Sequence, residues 1–313
     1  MVEGQTIQLA DRMSESLVHQ EGSHGLLGLA FSSLNTVTPQ PAMTPLDNMI
    51  SQKDIPAAQS LFTAYLGSYK DVNDPDKGQS FFTFGGIDQQ VVESTGQQIT
   101  YVPVDAYRGF WEFSSPSFGI DGNIVSLADN TAIADTGTTL LLVSDYVCQV
   151  IYANIPGAVY SKEASGWLIP NGIALEQLPS ISFALGDKQF VVEKEHLLYA
   201  AAEAADTPIP GMAYGGIQSR GSLPFDIWGD TILKCIYAVS GSHRHCSYNT
   251  DMFRFLMLAI NSLVRFSALT PHRTQTHEHC NFMIPRQGYF NSCRHTEGNR
   301  SFSYHEPPEP VTV

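Results

Sequence analysis

The sequence has few charged side chains, and most of those it has are acidic. Asp, Glu, Lys and Arg make up 15% of its 313 residues, whereas about a quarter is usual for a globular chain. Lys and Arg number 17 against 31 Asp and Glu, which gives a net charge of −14. Binding to phosphate groups depends on positive charge. The sequence therefore predicts neither a nucleic-acid partner nor an anionic membrane partner.

Cysteine is also scarce, and no apolar run is long enough to predict a membrane span. The five cysteines are an odd number, so no regular disulfide framework follows from them. The longest apolar stretch, 253–269, is interrupted by Arg254 and Arg265, whereas a span needs about 20 apolar residues. The first residues, MVEGQTIQLADRMSE, have no cationic start and no apolar segment. We therefore expect no secretory signal within this sequence.

The composition changes abruptly near residue 240. Residues 1–240 carry 10 basic and 26 acidic side chains, whereas 241–313 carry seven Arg and five acidic residues. All Lys precede this point, while seven of the ten His and three of the five Cys follow it. Such a shift predicts a boundary, with an unrelated, disordered or mistranslated tail at 241–313. Within the tail, the apolar residues predict one helix over 251–263.

The body before residue 241 has the pattern of an all-β protein. Hydrophobic residues make up 43% and aromatic residues 11% of the chain, which is enough for a sizeable core and argues against a disordered chain. Short β-branched and aromatic runs recur between turn residues. The predicted strands are FFTFG at 81–85, TYVPV at 100–104, GFWEF at 109–113, TLLLV at 139–143, ISFAL at 181–185 and QFVV at 189–192. Two short helices are predicted, from a Ser144-Asp145 cap to Asn154, and over 44–51 with Asp47 in the first turn.

The segment IADTGTTLLL at 133–142 is the candidate for chemistry. It places Asp135 between an apolar strand and a turn rich in hydroxyl and backbone N–H donors. Hydrogen bonds from such donors lower the pKa of a carboxyl group, while burial or a second carboxylate raises it. Two interpretations stay open on this segment alone: a reactive carboxylate, or a structural Asp that closes a turn.

Several segments of the body follow one another in a recognisable order. They are GLLGLAFSSLNTV at 25–37, FGGID at 84–88, GFWEF at 109–113, ADTGTTL at 134–140, GGIQS at 215–219 and FDIWGD at 225–230. In this order they resemble the pepsin-like aspartic endopeptidases, most closely the secreted fungal branch that includes the aspergillopepsins and penicillopepsins. The resemblance implies an all-β, bilobal fold. It divides the chain into a partial N-terminal lobe at 1–80, a C-terminal catalytic lobe at 81–240 and the tail at 241–313.

The resemblance also implies a reaction and a set of site residues. Family members hydrolyse peptide bonds at acid pH with a water molecule activated by two Asp residues, without cofactor or metal, and are usually monomers that act on polypeptides. By resemblance, Asp135 is the catalytic Asp of the second lobe. Substrate-binding positions implied in the same way are Thr136, Gly137, Thr138, Leu26, Phe110, Ile133 and Ile227. Without the family, the apolar ones among them are interpreted as core residues.

The sequence departs from the family pattern in one important respect. It contains a single Asp-Thr-Gly, at 135–137, whereas the family reaction needs one from each lobe. We therefore expect the chain to lack the N-terminal portion of the family, including the flap. Two alternatives to an active protease stay open: an inactive lobe that binds peptides or has no function, and a pair of chains that contributes two copies of Asp135. The family implies a secreted or vacuolar location.

The tail offers one competing site. Its clustered His and Cys, notably His277, His279 and Cys280, are residue types that bind zinc. Their spacing matches no closed zinc-finger pattern, so no metal site is predicted there.

Overall fold

The strands dominate the structure. The computed structural model describes residues 2–10, 12, 25–68, 70, 79–97, 99–200, 209–243 and 252–259. Within these ranges lie eighteen strands, four α-helices and four 3₁₀ turns, so the predicted all-β class is confirmed. The strands are β1 Leu61–Tyr65, β2 Phe81–Phe84, β3 Thr100–Pro103, β4 Glu112–Ser114, β5 Ser117–Ile120, β6 Asn123–Ser126, β7 Thr131–Ala134, β8 Leu141–Val143, β9 Val159–Ser161, β10 Gly166–Pro170, β11 Ile181–Leu185, β12 Lys188–Val192, β13 Leu198–Ala200, β14 Met212–Gly215, β15 Ile217–Ser219, β16 Asp226–Trp228, β17 Ile236–His243 and β18 Met252–Ala259. The helices are α1 Pro45–Ser51, α2 Gln89–Thr95, α3 Asp145–Ala153 and α4 Asp230–Leu233, and the 3₁₀ turns are Ser32–Leu34, Ala57–Gln59, Leu175–Gln177 and Lys194–Leu197.

The strands form four sheets. Their orders are β2-β1-β17-β18-β3, β13-β14-β10-β9, β12-β11-β5-β6 and β15-β8-β16-β7-β4. Five of the six predicted strands coincide with observed ones for most of their length or for their last three residues. The prediction for 109–113 holds only for Glu112 and Phe113, because Gly109 has a φ of +78° and turns the chain before β4 begins.

The two predicted helices are confirmed, and their caps explain where they start. In α1, the Thr44 side chain accepts the Asp47 N–H at 3.2 Å, and Pro45 occupies the first helical position. In α3, the Ser144 side chain accepts the Val147 N–H. Each cap satisfies a backbone donor that has no partner within its own helix.

The first sheet joins segments from distant parts of the sequence. β17 pairs with β1 from Leu61↔Gly241 to Tyr65↔Tyr237. On its other side, β17 pairs with β18 over eight residues, and β18 pairs in turn with β3. The boundary predicted at residue 240 therefore falls within β17. The division into lobes and tail stays a prediction, and residues 260–313 lie outside the described part of the chain.

The helix predicted for 251–263 is wrong over residues 252–259, which form β18. The apolar pattern of this segment fits a buried strand as well as a helix. Pairing with β17 and β3 satisfies its backbone N–H and C=O groups on both sides. Tertiary pairing of this kind overrides a weak local preference for helix.

The last sheet positions the candidate site because it mixes parallel and antiparallel pairs. β16 lies between β7, to which it is parallel, and β8, to which it is antiparallel. β7 and β8 are consecutive strands, so the loop that joins them crosses the end of β16 instead of closing a hairpin. That loop contains the Asp-Thr-Gly sequence.

The larger of the two hydrophobic clusters among the described residues includes side chains of this sheet. Its biggest fully buried side chain is Trp228 at the end of β16. The Trp228 ring lies edge-on to Phe113, with 5.0 Å between ring centroids, and 6.4 Å from Phe183. Each such aromatic contact adds about 0.5–1.5 kcal/mol to the effect of burial. The strands that carry the candidate site are thus packed against large buried aromatic side chains.

Candidate active site

Asp135 follows β7 directly, and its backbone is fixed by the neighbouring strand. The Asp135 N–H donates to the Trp228 carbonyl oxygen at 3.0 Å. Ile133 of β7 is in register with Ile227 of β16. The parallel pairing therefore continues through Asp135 and sets the direction in which the loop leaves the sheet.

The Asp135 carboxylate is buried and held by its own loop. The side chain is 6% exposed. Its Oδ1 accepts the Gly137 N–H at 2.9 Å, and its Oδ2 accepts the Thr138 hydroxyl at 2.5 Å. Both oxygens thus have a donor from within three residues, in agreement with the predicted turn of hydroxyl and N–H donors. Gly137 and Thr138, predicted as substrate-binding residues, orient the carboxylate, and their role toward a substrate stays a prediction. Thr136, between Asp135 and Gly137, is half-buried.

Opposing effects set the protonation of Asp135. Burial raises the pKa of Asp135 above 3.8 because it removes water from the charged form, while the hydrogen bonds from Thr138 and Gly137 lower it. Burial has the larger effect, so the pKa is raised. A carboxyl group that can both take and give a proton is what acid–base chemistry requires.

The far side of the loop is fixed by the start of α4. The Asp230 N–H donates to the Thr138 carbonyl oxygen at 2.8 Å, and the Thr231 N–H donates to that of Thr139 at 3.0 Å. Gly229 makes this approach possible, because a Cβ atom at that position would collide with the carbonyl oxygens of Thr138 and Leu140. Gly229 and Asp230, which follow β16, therefore hold the Asp135 loop in position by backbone contacts.

Asp230 is an acidic neighbour of Asp135 whose ionisation sequence reasoning missed. The net effect of burial, the opposing charge of Lys234 and the charge of Asp135 is to raise the pKa of Asp230 to about 6, with burial the largest cause. The Lys234 Nζ lies 3.9 Å from Asp230 Oδ2. The separation of 95 positions between Asp230 and Asp135 in the sequence gives no sign of this electrostatic interaction.

The four apolar residues predicted to bind substrate occupy different environments. Ile133 is 4% exposed and offers a substrate almost no surface, whereas Ile227 beside it is half-buried. Phe110 is half-buried, with its ring 5.7 Å from that of Phe225. Leu26 is 48% exposed. Their role in substrate binding stays a prediction.

The segment that contains Leu26 is attached to the strand that follows Phe110. The Trp111 Nε1–H donates to the Leu29 carbonyl oxygen at 2.8 Å, and the Phe31 N–H donates to that of Gly109 at 3.0 Å. The rings of Phe31 and Trp111 lie 4.4 Å apart. These contacts place the segment 25–31 next to the start of β4.

One group in the described residues has the side chains to hold a metal ion, and it consists of Glu193, His196 and Cys235. His277, His279 and Cys280 of the tail lie outside the described residues. No helix within the described ranges is long and apolar enough to cross a lipid bilayer.

Comparisons with known proteins agree on one family. The family model for eukaryotic aspartyl proteases matches residues 1–245. Aspergillopepsin-1 of Aspergillus fumigatus is 35% identical over 240 residues, which cover 77% of this chain and 55% of that protein. Aspergillopepsin-1 of Aspergillus clavatus is 36% identical over 239 residues, covering 76% of this chain and 55% of that protein. The chain thus spans about half the length of these curated relatives.

A solved structure gives the same fold. An aspartic proteinase from Irpex lacteus superposes with a TM-score of 0.55 at 22% identity, covering 77% of this chain and 69% of that chain. This likeness confirms the pepsin-like fold that the motifs predict.

Proposed function

The chain belongs to the eukaryotic aspartyl protease family, and we propose that it supplies one catalytic carboxylate of an aspartic endopeptidase. Asp135 is that carboxylate. The observation that carries the proposal is its geometry: a buried Asp at the end of a central strand, with Gly137 donating to one oxygen and Thr138 to the other.

The proposed reaction needs two carboxyl groups with different proton occupancy. One ionised carboxylate takes a proton from water as the water attacks the peptide carbonyl carbon, and a protonated partner donates to the carbonyl oxygen. Two carboxyl groups that share a site cannot ionise together easily, which keeps the pair singly protonated. The pepsin-type dyad is the standard example of this effect.

The partner carboxylate is part of the proposal. The sequence contains one Asp-Thr-Gly, so the second catalytic Asp would come from a part of the first lobe outside residues 1–313. Pairing of two copies of Asp135 is the other arrangement considered. The proposed substrates are polypeptides, bound beside the loop at Thr136, Gly137 and Thr138. A secreted or vacuolar location and a monomeric state belong to the same proposal.

The test supplies the missing carboxylate. We expect the 313-residue chain alone to show no pepstatin-sensitive cleavage of an unfolded protein at about pH 3–5. A first-lobe segment from a member of this family, fused before residue 1 or added as a separate chain, is expected to create that activity. Asp135→Asn should lower it at least about a thousand-fold.

The matched control is Asp129→Asn, which removes an exposed carboxylate from the turn before β7 and should leave the rate unchanged. Activity that persists in Asp135→Asn would overturn the assignment of Asp135. Turnover by the 313-residue chain alone that is lost in Asp135→Asn would support the paired arrangement instead.

The single Asp-Thr-Gly also favours a second candidate, a lobe that binds peptides without cleaving them. Calorimetry with pepstatin separates the two. Binding by the isolated chain, together with inactivity of every complemented form, is the result expected for a peptide-binding lobe.

A further inference from the structure

Three potential metal ligands lie close together near the end of α4. Glu193, His196 and Cys235 each offer one ligand atom, and these atoms all lie within 4.8 Å of one another. His196 Nε2 is 3.7 Å from Glu193 Oε2. The proposed peptidase reaction uses none of the three.

The backbone explains why these side chains converge. Glu193 caps the 3₁₀ turn Lys194–Leu197, and the His196 N–H donates to the Glu193 carbonyl oxygen at 2.9 Å. Side chains three apart on a 3₁₀ turn lie directly above one another. Cys235 ends the turn after α4, where its N–H donates to the Ile232 carbonyl oxygen.

The turn is also fixed against the rest of the sheet. The Gly216 N–H donates to the Leu197 carbonyl oxygen at 2.8 Å, and a Cβ at Gly216 would collide with the His196 carbonyl oxygen. The Lys70 ammonium donates to the carbonyl oxygens of Leu198 and Tyr199. The three ligand positions are therefore held by backbone contacts that do not depend on a bound ion.

The imidazole of His196 has an unsatisfied nitrogen. The side chain is 5% exposed, and its Nε2 has no hydrogen-bond partner among the described residues. Buried polar atoms almost always have such a partner, so an exception needs an explanation. Here the nitrogen faces a carboxylate oxygen at a distance too long for a hydrogen bond. An ion bound between them would satisfy the imidazole nitrogen.

We propose that Glu193, His196 and Cys235 bind one Zn²⁺ ion. Carboxylate oxygen, imidazole nitrogen and thiolate sulfur are all zinc ligands, at about 2.0–2.3 Å from the metal. Tetrahedral geometry at these bond lengths separates ligand atoms by about 3.5 Å, and the observed 3.7 Å between Glu193 and His196 is close to that value. A cavity of about 70 Å³ lies against His196, although Glu193 and Cys235 do not line it, and it is large enough to hold a water molecule beside that ligand.

The charges around the site are compatible with a divalent ion. Zn²⁺ with one thiolate and one carboxylate has no net charge, which limits the cost of burying it beside Lys70 and Lys234. Burial, together with the charges of Lys234 and Lys70, lowers the pKa of His196 to about 4. The imidazole is therefore neutral in mildly acidic solution, as a metal ligand must be.

Cys235 loses its proton when the ion binds. Burial raises the pKa of the Cys235 thiol, so the free site holds S–H, which donates to the Thr231 carbonyl oxygen at 3.7 Å. Zinc forms the Zn–S bond and releases this proton to solvent, one per ion. The Glu193 N–H, which points at Sγ from 3.3 Å, remains as a hydrogen bond that stabilises the thiolate.

The ion would cross-link two elements that are 40 residues apart in sequence. It would tie the turn Lys194–Leu197 to the start of β17, the strand that joins β1 to β18. The expected role is to hold this turn against the start of β17, because His196 and Cys235 are buried and Glu193 is half-buried.

The test is titration of the full-length chain, stripped of metal with EDTA and then freed of the chelator, with Co²⁺ as a coloured substitute for Zn²⁺. We expect one equivalent to produce a thiolate-to-cobalt charge-transfer band, to release one proton, and to be displaced by Zn²⁺. Cys235→Ser should abolish the band, and His196→Gln and Glu193→Gln should each weaken binding at least about tenfold.

Cys148→Ser is the matched control, because Cys148 is equally buried but lies in α3 outside the cluster. It should keep the band. The tail cysteines Cys246, Cys280 and Cys293 are replaced by Ser together in a second control, which should also keep the band.

A charge-transfer band that survives in Cys235→Ser, or that disappears when the tail cysteines are replaced, overturns the proposal. So does the absence of binding by a wild-type chain whose circular dichroism shows a folded protein. If Cys235→Ser does not fold, the His196→Gln and Glu193→Gln arms decide: binding at wild-type strength in both contradicts the site.

Discussion

The hydroxyl of Thr138 donates to Oδ2 of Asp135 at 2.5 Å, so the loop that contains Asp-Thr-Gly supplies a donor for its own carboxylate. This bond favours the ionised form and opposes the effect of burial. The protonation of Asp135 is thus a balance that single substitutions can shift.

Removing the Thr138 hydroxyl should raise the pKa of Asp135. In Thr138→Val, the pKa of Asp135 is expected to rise further, because burial remains while a donor is lost. The free energy of unfolding at neutral pH should fall by about 1–3 kcal/mol, the usual cost of removing a hydrogen bond to a charged group. Carboxyl NMR titration and urea denaturation measure the two effects. Thr138→Ser keeps the hydroxyl and should keep both values; equal effects in both variants would contradict this role.

Gly229 should not tolerate a side chain. In Gly229→Ala, the new Cβ would collide with the carbonyl oxygens of Thr138 and Leu140. Because these are backbone atoms, the loop has to move, and we expect a loss of about 3 kcal/mol or more in the free energy of unfolding. Gly172→Ala, at an exposed position with open space around it, is the control. If Gly229→Ala lowers the free energy of unfolding no more than Gly172→Ala does, the loop does not depend on close contact with Gly229.

The pH dependence of stability should depend on Asp230. Its pKa is raised from 3.8 to about 6 in the folded state, so the folded protein binds the proton more tightly than the unfolded chain. The resulting stabilisation is complete below about pH 4 and is lost as the pH rises through 6. Its size is about 1–3 kcal/mol.

Asp230→Asn should therefore flatten the stability profile between about pH 4 and 6, measured by thermal unfolding at a series of pH values. Asp187→Asn, at the exposed turn between β11 and β12, is the control for removal of one charge. A profile of unchanged slope in Asp230→Asn would contradict the raised pKa.

Two buried tryptophans should respond differently to the same substitution. The Trp228 Nε1–H has no hydrogen-bond partner among the described residues, whereas the Trp111 Nε1–H donates to the Leu29 carbonyl oxygen. Trp228→Phe loses apolar contact but also removes an unsatisfied donor, whose burial costs about 1–3 kcal/mol. Trp111→Phe instead breaks a bond that attaches the segment 25–31. Denaturation should therefore show the smaller loss for Trp228→Phe, and the reverse order would be a failure of the prediction.

Local structure was predictable where a few neighbouring residues decide it. Ser144 and Thr44 cap the two helices that their sequences predict. The alternation of apolar runs and turn residues predicted the all-β class. The loop at 135–138 was predictable in the same way, because its hydrogen bonds span no more than three residues.

The prediction for residues 251–263 failed for the opposite reason. The residues of that segment do not indicate that the edges of β17 and β3 are available for pairing. Backbone pairing with these two strands decided its conformation. Similarly, nothing near Gly109 in sequence indicates that the side chains of Ser33 and Leu34 leave no room for a Cβ there.

The sequence by itself determined the family, the fold class and the chemical identity of the Asp135 loop, because these depend on ordered motifs and short-range bonds. Only the tertiary structure decided which distant groups meet. It placed Asp230 in the electric field of Asp135 and buried it enough to raise its pKa to about 6, and it brought Cys235 to Glu193 and His196. Burial and contact between residues far apart in the chain depend on how the strands pair. Local sequence patterns therefore do not predict which distant residues meet.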